Sequence, residues 1–243
     1  MERTYVLKGS SNHMKVLHDS NLLQEKMREF DLESLFASIS GIPFELRLYE
    51  EGEIVLAEGE RMDALLFLVE GRIKISSSVQ TGKALLLRFC EPFSVMGDIE
   101  LIQDVPVQSR VEAVRRTLCL AVPFSYAYGH LLDDPKFLMF LLTHVTFKLQ
   151  TCTTASRVNL LAGVENRFAC YLLSTLHEQS EFGEEIRTAN TQEIADLIGT
   201  TSRHLNRVIL KLSEQGVIRK EKDLIYILDA RALKELSNGI RYE

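Results

Sequence analysis

Thr191–Leu212 reads TQEIADLIGTTSRHLNRVILKL, and this stretch decides the fold. Ile194, Ala195, Leu197 and Ile198 give a first short helix one apolar face. Gly199 ends it, because glycine enters the left-handed region at little steric cost. Thr200, Thr201 and Ser202 then offer hydroxyls able to cap a second helix. That helix carries Leu205, Val208, Ile209 and Leu212 at spacings of three, four and seven, so one of its faces is apolar too. The opposite face presents Ser202, Arg203, Asn206 and Arg207, residue types that read base edges and grip phosphates. Small Ala195 lets the two helices approach, and Leu205 packs back between them. The pattern predicts a helix-turn-helix that places its second helix on DNA.

Two amphipathic helices around a glycine also occur in ordinary helical proteins, so the flanks matter. Asn190 and Thr191 can cap the first helix, with Glu193 close behind. Gln215-Gly216 stops the second. VIRKEKDLIYIL then reads as two short strands around the charged turn Lys220–Asp223, the hairpin of a winged helix. Between Arg187 and Lys222 there are seven basic and four acidic side chains, whereas the whole chain carries −6. A local basic footprint on an acidic body suits DNA; a merely solvated basic face is the bland alternative.

At 243 residues, with 46% hydrophobic and 26% charged side chains, the chain can bury a good core and form two domains. Its first twenty residues are polar and of mixed charge, unlike a signal peptide. The most apolar stretch, FLMFLLTHVTFKL from Phe137, is too short for a membrane span and is broken by His144 and Lys148. A cytoplasmic protein without a membrane partner is expected. Cys90, Cys119, Cys152 and Cys170 are spaced too widely for a zinc or iron–sulfur motif and read as buried thiols. A Cys90–Cys119 redox pair requires their strands to be neighbours.

Met1–Ser20 lacks periodicity and reads as a loose arm; Asn21–Ile39 reads as one helix closed by Gly41 and Pro43. From Phe44 to about Phe124, short apolar runs alternate with turn signals, among them Gly52, Gly59, Gly71, Gly82 and Gly97. That spacing predicts an antiparallel β-sandwich or roll. Asp133-Asp134-Pro135 starts a long helix to about Leu161. Its periodicity serves equally a dimer seam or an internal core helix. Gly163 marks a hinge, and Glu165–Gln179 reads as a further helix.

This order resembles the CRP/FNR superfamily of bacterial transcription regulators, over roughly Leu48–Leu228. YEEGEIVLAEGERMDALLFLVEGRIKI resembles the family's glycine-marked β-roll opening. GDIELIQDVPVQSRVEAVRRTLCLAVP and the SRHL of the second helix are most similar to the YeiL-type branch. The resemblance implies an α+β protein with an N-terminal arm and helix (1–43) and an antiparallel β-roll sensory domain like a cyclic-nucleotide-binding jelly roll (44–130). A long dimerisation helix (131–162) and a C-terminal winged helix-turn-helix (163–243) follow. It further implies a homodimer on near-palindromic double-stranded DNA, with RNA polymerase as a candidate partner. The family's base-reading positions fall on Ser202, Arg203, Asn206 and Arg207. Position 203 carries glutamate in the best-known members; arginine here donates to guanine where glutamate accepts from cytosine, so the half-site should differ. Thr188, Thr191, Gln192, Thr201 and Lys220 are the candidate phosphate contacts.

In cyclic-nucleotide-binding relatives a Gly-Glu pair and an Arg-Ser pair cradle ribose and phosphate. Gly97-Asp98 matches the first; the second falls on Val107-Gln108, without the arginine. Ser109 and Arg110 complete the candidate effector pocket, although Arg110, three positions on, should face the other way in a strand. An unmatched phosphate anion in a small pocket is disfavoured, and cyclic AMP with it. Neither an iron–sulfur cluster nor haem is supported, and the effector stays unassigned. An enzyme on the roll is disfavoured as well: no histidine lies between Phe44 and Phe124, and there is no phosphate loop or nucleophile elbow. The remaining rival is a ligand- or protein-binding module whose helix-turn-helix no longer binds DNA; the basic and polar reading face argues against it.

Overall fold

A computed structural model describes residues 14–78, 84–175, 185–187, 191–222 and 224–238. The chain divides into two compact units, Met1–Ile75 with Phe89–Gln150, and Ser76–Arg88 with Thr151–Glu243.

In the first unit, runs of alternating or continuous apolar residues become strands β1 (Lys15–Leu17), β2 (Glu45–Tyr49), β3 (Ile54–Leu56), β4 (Ala64–Glu70), β5 (Ile73–Ser78), β6 (Ala84–Cys90), β7 (Ser94–Met96), β8 (Arg110–Ala113) and β9 (Thr117–Pro123). β5 and β6 run on into the second unit. Two sheets result, ordered β1-β2-β9-β4-β7 and β3-β8-β5-β6. Their order departs from sequence order, as a roll requires. The central strands β4 and β9 pair antiparallel, with Phe67 opposite Leu120, and are buried on both faces. One face, with Leu65, Phe67, Val69, Leu118, Leu120 and Val122, meets Leu32, Phe36, Phe137 and Leu141 in one core. Phe36 stacks on Phe137 at 5.6 Å and Phe67 on Phe140 at 6.0 Å between ring centroids. The turn between β4 and β5 needs Gly71: its φ is +98°, and a Cβ there would lie 2.5 Å from the Arg116 carbonyl oxygen.

Two sequence expectations are corrected here. Lys15–Leu17, read as part of a loose arm, is β1, paired antiparallel with β2; three residues are too few to show periodicity. The single helix expected over Asn21–Ile39 is instead α1 (Ser20–Glu29) and a 3₁₀ turn (Leu32–Leu35). The break is Asp31, at φ +47°, a left-handed conformation that short polar side chains tolerate. Asp19 caps α1 by accepting from the backbone N–H groups of Asn21 and Leu22 at 3.0 and 2.9 Å. Cys90 and Cys119 stand on strands of different sheets, so the neighbouring-strand condition for a pair is not met. Burial pushes the Cys119 thiol up to about 12 and the Cys170 thiol to about 11.

Between β7 and β8 lies α2 (Asp98–Gln103), and after β9 come α3 (Phe124–Tyr126) and a π turn (Ala127–Leu131). The long helix α4 (Pro135–Leu161) has 27 residues, about 40 Å. Asp134 starts it, accepting from the backbone N–H of Lys136 at 2.9 Å and of Ala37 at 2.6 Å. Phe137 and Leu141 are its buried stripe. Leu138, Leu142, Val145 and Leu149, one position on and spaced four, three and four, form a second, exposed apolar stripe. α4 therefore serves the internal core on one face and carries an exposed apolar stripe on another. Among the described residues no helix is long and apolar enough to cross a membrane.

The second unit holds α5 (Val164–Thr175), β10 (Glu185–Arg187), α6 (Thr191–Leu197), α7 (Ser202–Glu214), β11 (Ile218–Glu221), β12 (Leu224–Ile227) and α8 (Ala230–Leu236). The expected continuation of α5 to Gln179, the cap at Asn190, and the positions Gly82, Thr188 and Asp223 lie outside the described residues. The wing is a three-stranded sheet, β10-β12-β11, one strand more than the sequence suggested. Phe168, Leu172, Ile194, Leu205, Ile209, Leu212 and Leu233 are buried in this unit.

Candidate nucleic-acid interface

After α6, Gly199 turns the chain at φ +66°, and the Thr200 N–H donates to the Ala195 carbonyl at 2.8 Å. Thr201 then caps α7, its hydroxyl accepting from the His204 N–H at 3.3 Å. Leu205, Val208, Ile209 and Leu212 bury the inner face of α7 as the spacing predicts. Gly216, at φ +71°, ends the helix, and the Val217 N–H closes back on the Leu212 carbonyl at 2.9 Å.

Every described residue among the predicted DNA contacts falls on or beside α6, α7 or β11, within one unit. Arg203, Asn206 and Arg207 stand exposed on α7. Among the described residues neither arginine pairs with a carboxylate, so both guanidinium groups are available to bases and phosphates. Ser202 is half-buried; its hydroxyl donates to the Gln192 side-chain oxygen, while the Gln192 amide donates to Asp196 at 2.9 Å. These contacts lock the start of α7 to the start of α6. Lys220 donates to the Thr191 hydroxyl at 2.9 Å, which ties β11 of the wing to the same helix start. Arg219 lies over Tyr226, 4.9 Å from the ring centroid, and pairs with Glu221 at 3.0 Å. On the far flank Lys211 pairs with Glu165 of α5. Exposed Leu210, also on α7, is missed by sequence reasoning, which seeks polar residues on that face.

Of the candidate effector residues, Gly97 and Asp98 stand at the start of α2, and Gln108, Ser109 and Arg110 at and just before β8; the Gln108 backbone N–H donates to the Glu100 carboxylate of α2 at 3.3 Å. Gly97 precedes α2 at φ +93°, with the Met62 side chain against it. Asp98 is 2% exposed, and its carboxylate accepts from the ammonium of Lys148 on α4. The Gln108 side chain turns to the Pro106 carbonyl at 2.6 Å. Ser109 is half-buried at the entrance to β8. Arg110 points outward to Glu112 at 3.4 Å. Lys148 is the functional candidate that sequence reading missed; nothing in the spacing of α4 links it to a residue 50 positions earlier.

Two family models match this architecture: a cyclic nucleotide-binding domain over residues 46–128 and a Crp-like helix-turn-helix domain over 166–236. The chain is 25% identical over 185 residues to the regulatory protein YeiL of Escherichia coli O157:H7, covering 76% of this chain and 82% of that one. It is 23% identical over 189 residues to the CRP-like cAMP-activated global transcriptional regulator of Mycobacterium tuberculosis, covering 76% and 84%. A crystal structure of a CRP/FNR-family transcriptional regulator from Thermus thermophilus superposes with a TM-score of 0.67 at 24% identity, over 79% of this chain and 98% of that one. Another, from Eubacterium rectale, gives 0.72 at 15% identity, over 81% and 90%. A β-roll joined by a long helix to a winged helix-turn-helix defines a class: DNA-binding transcription regulators, not enzymes. Within that class, the chain belongs to the CRP/FNR family.

Proposed function

We propose that the protein works as a homodimer on a near-palindromic site, with the α7 of each copy in successive major grooves. Ser202, Arg203, Asn206 and Arg207 read base edges, and Thr191, Gln192, Thr201 and Lys220 hold phosphates and set the register. The observation that carries this reading is the outward face of α7, where Arg203 and Arg207 stand exposed without acidic partners among the described residues. The second copy is supported by the apolar stripe Leu138, Leu142, Val145 and Leu149, whose four-three-four spacing is that of a two-helix seam. The protein acts in the cytoplasm, and RNA polymerase is its proposed downstream partner.

The input is a signal at the β-roll that changes how often the two recognition helices adopt the DNA-competent spacing. Cyclic AMP does not fit the residues present. Asp98 is engaged by Lys148, and Arg110 faces Glu112 on the outside, which argues against a matched cation for a phosphate here. Neither haem nor an iron–sulfur cluster is part of this reading.

The test is selection of preferred duplexes from random DNA, followed by affinity measurement. Arg207→Ala should weaken binding to the selected site by about 1–3 kcal/mol. Unchanged affinity would remove Arg207 from the reading face.

A further inference from the structure

Leu210 is 60% exposed, yet it stands on the recognition helix. Leu205, Val208, Ile209 and Leu212 define the buried side of α7. At 3.6 residues per turn, the stripe directly opposite consists of Arg203, Arg207, Leu210 and Glu214, spaced four, three and four. Leu210 is thus an apolar side chain on the same outward line as the two arginines. Core packing does not account for it, because most of its surface lies in water. It is seven residues from Arg203, about 10 Å along the helix axis, or roughly three base-pair steps. The major-groove edge offers one apolar group, the C5 methyl of thymine.

We propose that Leu210 is a specificity-determining residue that selects thymine by burying its methyl group against the leucine side chain. The proposal rests on α7 being the base-reading helix. It gives the half-site a thymine beyond the bases facing Arg203 and Arg207. The contact carries no hydrogen bond, so it discriminates by area alone: the methyl of thymine is apolar surface that uracil lacks.

The experiment uses the full chain and its selected duplex, with each thymine replaced in turn by deoxyuridine and affinity read by fluorescence anisotropy. This removes a methyl from the DNA without touching the protein fold. One thymine position per half-site should lose about fourfold in affinity on losing its methyl. Leu210→Ala should bind thymine and uracil duplexes equally at that position, while Arg207→Ala binds more weakly but keeps the roughly fourfold difference. If every deoxyuridine is silent with the wild-type chain, or if Leu210→Ala retains the difference, the thymine contact is overturned. Failure of the underlying reading looks different: neither Arg207→Ala nor Arg203→Glu would then change affinity or selected motif, and the proposal would fall with it.

Discussion

Arg203 is where this chain parts from the best-known members of its family, and the difference is chemical. A guanidinium donates two parallel hydrogen bonds to the O6 and N7 of guanine; a carboxylate accepts from the amino group of cytosine. Arg203→Glu should therefore move the preferred base at one half-site position, read by sequencing of selected duplexes, and an unaltered motif would exclude direct readout by residue 203. A second residue-scale prediction concerns Lys148. Asp98 is buried, so replacing Lys148 by methionine leaves its carboxylate without the ammonium it accepts from, at a cost of about 3–5 kcal/mol. Asp98→Leu combined with Lys148→Met should recover most of that loss in thermal unfolding. If the double variant is no more stable than the single one, the pair is not what the loss measures.

At the scale of elements, the two best tests are the start of α4 and the turn before β5. Burial works to raise the pKa of Asp134, but hydrogen bonds from the backbone N–H groups of Ala37, Lys136 and Phe137 outweigh it and hold the carboxyl below the ordinary range. A depressed folded-state value means stabilisation that is complete above the unfolded pKa, about 4, and is lost as pH falls through the folded one. The melting temperature of the wild-type chain should thus fall more steeply below about pH 5 than that of Asp134→Asn; parallel curves would remove Asp134 as the cause. Gly71→Ala should cost about 1–3 kcal/mol, because the turn demands a left-handed φ and has a carbonyl oxygen where the Cβ would go. A melting temperature within about 1 °C of wild type would contradict that strain. These elements also show what could be read in advance. α7 was legible because thirteen residues repeat one apolar stripe between a threonine cap and a glycine stop. The break at Asp31 and the strand β1 were not, since a single left-handed residue and a three-residue pairing leave no periodic trace. The exposed polar face of α7 was visible residue by residue, whereas the Asp98–Lys148 contact depends on tertiary packing that no local pattern encodes.

At the scale of the whole molecule, the open stripe of α4 is the feature that asks for a second copy. Leu142 and Leu149 are 56% and 67% exposed, an apolar surface that a lone chain would leave in water. Leu142→Glu with Leu149→Glu should convert a dimer to monomers in sedimentation velocity, with unfolding of the β-roll little changed; a persistent dimer would put the seam elsewhere. The same stripe bears on dosage. When the active species needs two chains, its abundance at low expression rises with the square of the chain concentration. Halving synthesis would then cut the DNA-competent form about fourfold. Promoters under this regulator would answer to cell growth and dilution as a threshold rather than in proportion, before any effector is considered.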